Sequence, residues 1–121
     1  MKERKKKYFH PIEVTLDVVC GKWKGVILCL LQEKDFRFGE LKAKLFAVTP
    51  KVLTQQLREL EEDGLITRTV YPQVPPKVVY SLTPYGKDLE ETLRMMENWG
   101  KTHQEKVGHE FEEEISEAGL S

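Results

Sequence analysis

The chain is poor in the residues that carry chemistry. Only three histidines, His10, His103 and His109, and two cysteines, Cys20 and Cys29, occur in 121 residues. No HxxxH, CxxC, nucleophile elbow or phosphate-binding glycine loop is present. His109 and Glu113 lie one helical turn apart, but two ligands do not make a metal site. Neither an enzyme nor a metal or other cofactor is expected. Two cysteines also exclude a disulfide framework and fit a reducing compartment. The basic run Lys2, Arg4, Lys5, Lys6 and Lys7 is followed by no uninterrupted apolar segment, because Glu13 and Asp17 intervene. A secretory signal is therefore not expected, nor a membrane association, and the expected location is the cytoplasm.

What is present is a succession of local signals between Phe36 and Leu82. Thr49 is a good N-cap and Pro50 suits the first helical position, where a missing N–H costs nothing. Leu53, Leu57 and Leu60 follow at spacings of four and three, which places them on one helix face. Gly64 marks the stop, since a glycine just past the last turn tolerates the left-handed conformation. Upstream, Phe38, Leu41 and Leu45 form the stripe of a shorter helix, joined to the next by the tight turn Ala47-Val48-Thr49-Pro50. At about 100° per residue, Lys51, Gln55 and Arg58 fall opposite Leu53, with Thr54 on the flank. Lysine neutralises phosphate, glutamine can pair with adenine, and arginine with guanine in a major groove. The plainer reading is a solvated helix face.

Charge distribution favours the first reading. From Leu41 to Arg58 the charged residues are Lys42, Lys44, Lys51 and Arg58, and from Leu65 to Lys87 they are Arg68, Lys77 and Lys87, with no carboxylate in either stretch. Glu59, Glu61, Glu62 and Asp63 crowd the far end of the helix. The overall net charge of −1 conceals a local basic surface of the kind phosphate binding requires.

After Gly64, the segments Leu65 to Tyr71 and Lys77 to Leu82 are rich in β-branched and aromatic residues and predict two strands. Pro72, Pro75 and Pro76 stiffen the connection, as suits a wing that lies along a phosphate backbone or enters a minor groove. An ordinary surface hairpin is the alternative. In Phe36-Arg37-Phe38 two aromatics bracket an arginine, which predicts a short extended segment that pins the sheet while Arg37 faces solvent or phosphate.

The flanks are helical. Trp23, Val26, Ile27, Leu30 and Leu31 give a strong helical period, and Ile12, Leu16 and Val19 a weaker one after Pro11; all are core candidates first. Thr83-Pro84 repeats the cap-then-proline signal and predicts one helix reaching His103 or beyond. Its stripe, Leu89, Leu93, Met96, Gly100, His103 and Val107 with Trp99 beside it, is too long for one small domain to cover. Part of it is expected to form a dimer interface through Leu93, Met96, Trp99, His103 and Val107, joined by Ile12 and Leu16 of the first helix and extended by Phe111 and Ile115. Trp23, Tyr85 and Trp99 could line a cleft for a small apolar effector.

Taken in order, Gly21-Lys22-Trp23, Arg37-Phe38 with Glu40-Leu41, Leu53-Thr54, Leu57 to Glu61, Gly64-Leu65, Pro75-Pro76, Tyr80 to Thr83 and Trp99-Gly100 resemble the HxlR-type helix-turn-helix regulators of bacteria. The resemblance is collinear from His10 to Gly100. It implies a dimeric winged helix of the wider MarR-like kind that binds a palindromic operator on double-stranded DNA. Members often carry a cysteine before a proline near the N-terminus, in some a thiol switch. Here that place is His10-Pro11, so such a sensor does not carry over. Cys20 stands where the pattern tends to have glycine, next to Lys22 and Lys24, which could lower its pKa; an inert thiol is the alternative.

The expected organisation is a basic arm over residues 1–10, a winged helix-turn-helix over 11–107 with N-terminal and long C-terminal dimerisation helices, and an acidic tail or helix extension over 108–121. The fold class is mainly α with a small β-hairpin. The expected function is a sequence-specific regulator, most simply a repressor. Its DNA-facing residues are Arg37, Thr49, Lys51, Thr54, Gln55, Arg58 and Lys77; its effector, a small molecule or an oxidant, is left open. The competing reading is a winged helix used for protein contacts alone, which predicts no salt-dependent affinity for DNA.

Overall fold

A computed structural model of the chain describes residues 7–108. Its elements run α1 (Pro11–Val19), α2 (Lys24–Glu33), β1 (Phe36–Arg37), α3 (Phe38–Lys44), α4 (Pro50–Glu62), β2 (Ile66–Tyr71), β3 (Lys77–Leu82), α5 (Pro84–Lys87) and α6 (Glu90–Val107). The architecture is a winged helix-turn-helix. Helices α3 and α4 form the bihelical unit, and an antiparallel sheet of order β1-β3-β2 forms the wing.

Short-range chemistry sets most of the boundaries. The Thr49 hydroxyl accepts from the Val52 N–H at 3.2 Å, and Pro50 follows at the first helical position. At the other end of α4, Gly64 adopts φ 80°. The Leu65 N–H reaches the Leu60 carbonyl and the Gly64 N–H the Glu61 carbonyl, both at 3.0 Å. This pair of bonds closes the last turn in the Schellman manner and needs the left-handed glycine. The helix thus stops where β2 must begin.

The expected hairpin gains a third strand. Phe36 pairs with Tyr80 and Arg37 with Val79, so the segment before α3 does pin the sheet, with Phe36 buried and Arg37 exposed. Phe38 does not belong to it, because it opens α3. The Arg37 N–H donates to Glu40 Oε1 at 2.8 Å, which satisfies the backbone where strand becomes helix.

The core forms where α2, α4 and the inner side of the sheet meet. Leu53, Leu57 and Leu60 of α4 are essentially inaccessible, as are Ile27 and Leu28 of α2 and Leu41 and Leu45 of the α3 unit. Burying each such side chain contributes roughly 1.5–3 kcal/mol. Two expectations for the flanks need correction. Ile12 and Leu16 are not core: they remain 54% and 41% exposed, and only Val19 of α1 is buried. Helix α1 is short and packs on α2, and the described residues leave one side of it largely uncovered.

The single helix predicted from Pro84 is two. Thr83 caps α5, accepting from the Gly86 N–H at 3.0 Å while donating to the Gly64 carbonyl at 2.6 Å. Gly86 lies so close to the backbone that a Cβ there would stand 2.1 Å from the Leu65 carbonyl oxygen. This contact locks one turn against the start of β2. Asp88 and Leu89 form a turn, and α6 starts with Glu90 and Glu91 in its first turn, where carboxylates complement the helix dipole.

Candidate nucleic-acid interface

Lys51, Thr54, Gln55 and Arg58 all project from α4 on the side away from its buried leucines, and all are exposed. Thr49 is exposed at the helix start, where its hydroxyl is engaged as the cap. These positions form one continuous strip because the 3.6-residue repeat brings residues three and four apart together. A shallow depression of about 500 Å³ follows it, lined by Pro50, Lys51, Thr54, Gln55, Arg58, Glu59 and Glu62.

Glu59 and Glu62 amend the charge map. Both were expected at the far end, away from the reading face, yet they border the same depression as Arg58. Glu59 is held there by Lys24, whose ammonium lies 2.5 Å from its carboxylate. Lys24 is only 4% exposed. A buried charge is costly unless paired, so this ion pair ties α2 to α4. Gly21 has a related role: a Cβ there would stand 2.7 Å from Gln56 Oε1 of α4.

Lys24 escaped the sequence reading, although a signal existed. It precedes Ile27, Leu28 and Leu31 by three, four and seven residues, the spacing of a buried stripe, and a lysine in such a place needs an acid partner.

Arg37 lies at the outer sheet edge, and Lys77 at the end of the ladder next to the wing tip. Lys77 pairs in register with Tyr71, and its ammonium stands 5.4 Å from the centre of that ring. Val74, at the tip, is 99% exposed.

The residues expected at a dimer interface behave unequally. Leu93 is 5% exposed and packs into the protomer's own core beneath α2, so it is taken up within one chain. Met96, Trp99 and Val107 are 44%, 67% and 48% exposed. His103 is exposed and stacks on Trp99 with ring centres 4.8 Å apart. Phe111, Ile115 and the acidic tail lie outside the described residues, as does most of the basic arm. Of the arm's described part, Tyr8 is tied back to α1 by a 2.6 Å hydrogen bond to Asp17. The aromatic trio suggested for an effector cleft is dispersed in character: Trp23 packs against the core, whereas Tyr85 and Trp99 are two-thirds exposed.

His10 Nδ1 accepts from the Ile12 N–H at 3.1 Å and so caps α1. Cys29 is half-buried, and its thiol pKa is raised, first by desolvation and then by Glu97 and Glu33. Cys20 is exposed. Among the described residues, no helix is long and apolar enough to cross a membrane.

The profile of the HxlR-like helix-turn-helix family matches residues 18–108. The chain belongs to that family. It is 54% identical over 103 residues to the HTH-type transcriptional regulator YtcD of Bacillus subtilis, covering 85% of this chain and 82% of that one. Identity to the regulatory protein MalR of Fusobacterium mortiferum is also 54%, over 100 residues, covering 82% and 94% of the two chains. Among solved structures, the redox regulator HypR in its reduced form superposes with a TM-score of 0.79 at 44% identity, covering 84% of this chain and 100% of that one. The HxlR-like protein described here is therefore a DNA-binding transcriptional regulator, from a family of regulators and not of enzymes.

Proposed function

We propose that the protein binds a palindromic operator as a homodimer and represses transcription where that operator overlaps a promoter. Each protomer lays α4 in the major groove and its wing on the flanking backbone or minor groove. The observation that carries this reading is the face of α4: Lys51, Thr54, Gln55 and Arg58 are exposed together, opposite three leucines that are fully buried. Arg58 and Gln55 read base edges, Lys51, Lys77 and Arg37 contact phosphate, and Thr49 positions the helix start.

Met96, Trp99, His103 and Val107 of α6, with Ile12 and Leu16 of α1, supply the contact between protomers. Their exposed apolar surface in the single chain supports this assignment. Two-fold symmetry then sets half-sites about one helical turn, or a multiple of it, apart. In this reading the regulator works without a cofactor, in the cytoplasm with its DNA. Two relatives in structure, HypR and YodB, are described in reduced and in oxidised or diamide-treated forms. An oxidant acting on the present chain would meet Cys20 before Cys29, because only the former is exposed.

Enrichment of bound duplexes from a random pool tests the reading, followed by titration of the winning duplex at increasing salt. An inverted repeat and a steep linear fall of log affinity with log salt are expected. Equal binding to every duplex with no salt dependence would leave the protein-contact alternative standing.

A further inference from the structure

Gln55 does not face the groove as a freely turning amide. Its Nε2 lies 3.4 Å from Glu59 Oε2, one helical turn along α4. The other oxygen of the same carboxylate, Oε1, is held 2.5 Å from the Lys24 ammonium, inside a contact where the side chains are only 5% and 15% exposed. One carboxylate thus divides its two oxygens between a buried lysine and an exposed glutamine. A carboxylate can only accept, so the NH₂ end of the Gln55 amide must be the end turned toward Glu59. The carbonyl oxygen is left to whatever enters the groove.

We infer that Lys24 and Glu59 are positioning residues that fix the Gln55 amide, so that α4 selects a base carrying an exocyclic amine in the major groove. This inference rests on the placement of α4 in that groove proposed above. Adenine offers its N6 amine and cytosine its N4 amine to an acceptor, whereas guanine presents O6 and N7 and thymine O4, which are acceptors. A free glutamine could turn its NH₂ toward guanine. Here one of its two N–H donors is engaged by Glu59, and the carboxylate beside it repels the O6 and N7 acceptors of guanine. Pairing with Lys24 keeps the charge of Glu59 from opposing the phosphates as strongly as an unpaired carboxylate would.

The experiment is duplex selection and sequencing with the full chain, Gln55→Ala and the charge-neutral pair K24M/E59Q, with thermal unfolding measured on each. The amide that E59Q introduces can donate as well as accept, so the double variant releases the orientation of Gln55 without burying an unpaired charge. The native chain is expected to favour adenine or cytosine by roughly tenfold at one position of each half-site, a discrimination within the range of a single good base contact. Gln55→Ala erases that preference. K24M/E59Q reduces it below about threefold at the same position, with the preferences elsewhere in the half-site retained, a pattern that general loosening of the fold would not produce. Should the double variant not fold, Glu59→Asp withdraws the carboxylate from Gln55 by one methylene while keeping its charge, and the same loss is expected. Retention of the full preference in these Glu59 variants overturns the inference, as does guanine or thymine at the Gln55-dependent position. A site whose preferences are all independent of Gln55 overturns it while leaving the operator reading intact. A pool with no preferred sequence for the native chain overturns both.

Discussion

Helices α4 and α6 carry apolar residues at the same three- and four-residue spacings, yet the described residues cover only the first. In α4, Leu53, Leu57 and Leu60 are 0%, 1% and 0% exposed. In α6, Leu93 is buried but Met96, Trp99 and Val107 lie open at 44%, 67% and 48%. The difference is one of neighbours. α4 meets both α2 and the sheet, whereas α6 meets α2 and, among its apolar residues, buries only Leu93. An amphipathic pattern therefore states that a face must be covered without stating by which chain. α4 is covered among the described residues; the open part of α6 is the face that the proposed second copy would cover.

The sharpest way to break this contrast is to damage each helix in turn. Leu57→Ala removes a fully buried side chain and should cost about 2–5 kcal/mol. Chemical denaturation should show the loss in the midpoint at every dilution. Gly86→Ala belongs with it, because its Cβ would collide with the Leu65 backbone, which cannot yield as a flexible side chain would. Trp99→Ala should act differently: sedimentation should shift from dimer to monomer, and operator affinity should fall by about 100-fold or more as the two half-sites cease to be linked. If Trp99→Ala leaves both the mass and the affinity unchanged, the open face of α6 has another purpose.

A smaller effect separates the reading face from the wing. Arg58→Ala should cost about 1–3 kcal/mol against its preferred base and flatten selection at that position. Lys77→Ala should weaken binding to all sequences alike and lower the slope of log affinity against log salt by about one. Competition titrations at several salt concentrations distinguish the two. An Arg58 variant that keeps the native base preference would move the reading contact elsewhere on α4.

Much of this layout was legible in the chain because it is written in local chemistry. Thr49-Pro50, Gly64 and the leucine spacing define α4 within a few residues, and the β-branched runs define the wing. Features that depend on contacts distant in sequence were not legible. The break after Lys87 comes from the approach of Gly86 to Leu65, across some twenty residues, and the Thr83-Pro84 signal could announce a start but not so early an end. Ile12 and Leu16 show the same limit: periodicity identifies an apolar side of α1, but only the packed domain reveals that the described residues leave it largely exposed. Glu59 is the instructive case in the site. Its position along α4 suggested an acid kept clear of DNA, and its pairing with Lys24, thirty-five residues earlier, is what allows it to stand beside Gln55.

The smallest expected effect concerns the two thiols, which the same comparison of covered and open surface ranks. Cys29 lies on α2 beneath α6, and burial together with Glu97 and Glu33 raises its pKa, so less thiolate is present at neutral pH. Cys20, at the end of α1, is exposed. Alkylation of the native protein near pH 7.5, followed by mass spectrometry, should modify Cys20 first. The sign of the pH effect follows from the same shift. The folded thiol ionises at higher pH than the unfolded one, so its contribution is full below the unfolded pKa and declines as pH rises through the alkaline range. Cys29→Ala should therefore flatten the loss of stability above about pH 9, near the ordinary thiol value. Modification of Cys29 before Cys20 would mean that α6 leaves α2 often in solution, and would count against a settled packing of α6 on its own protomer.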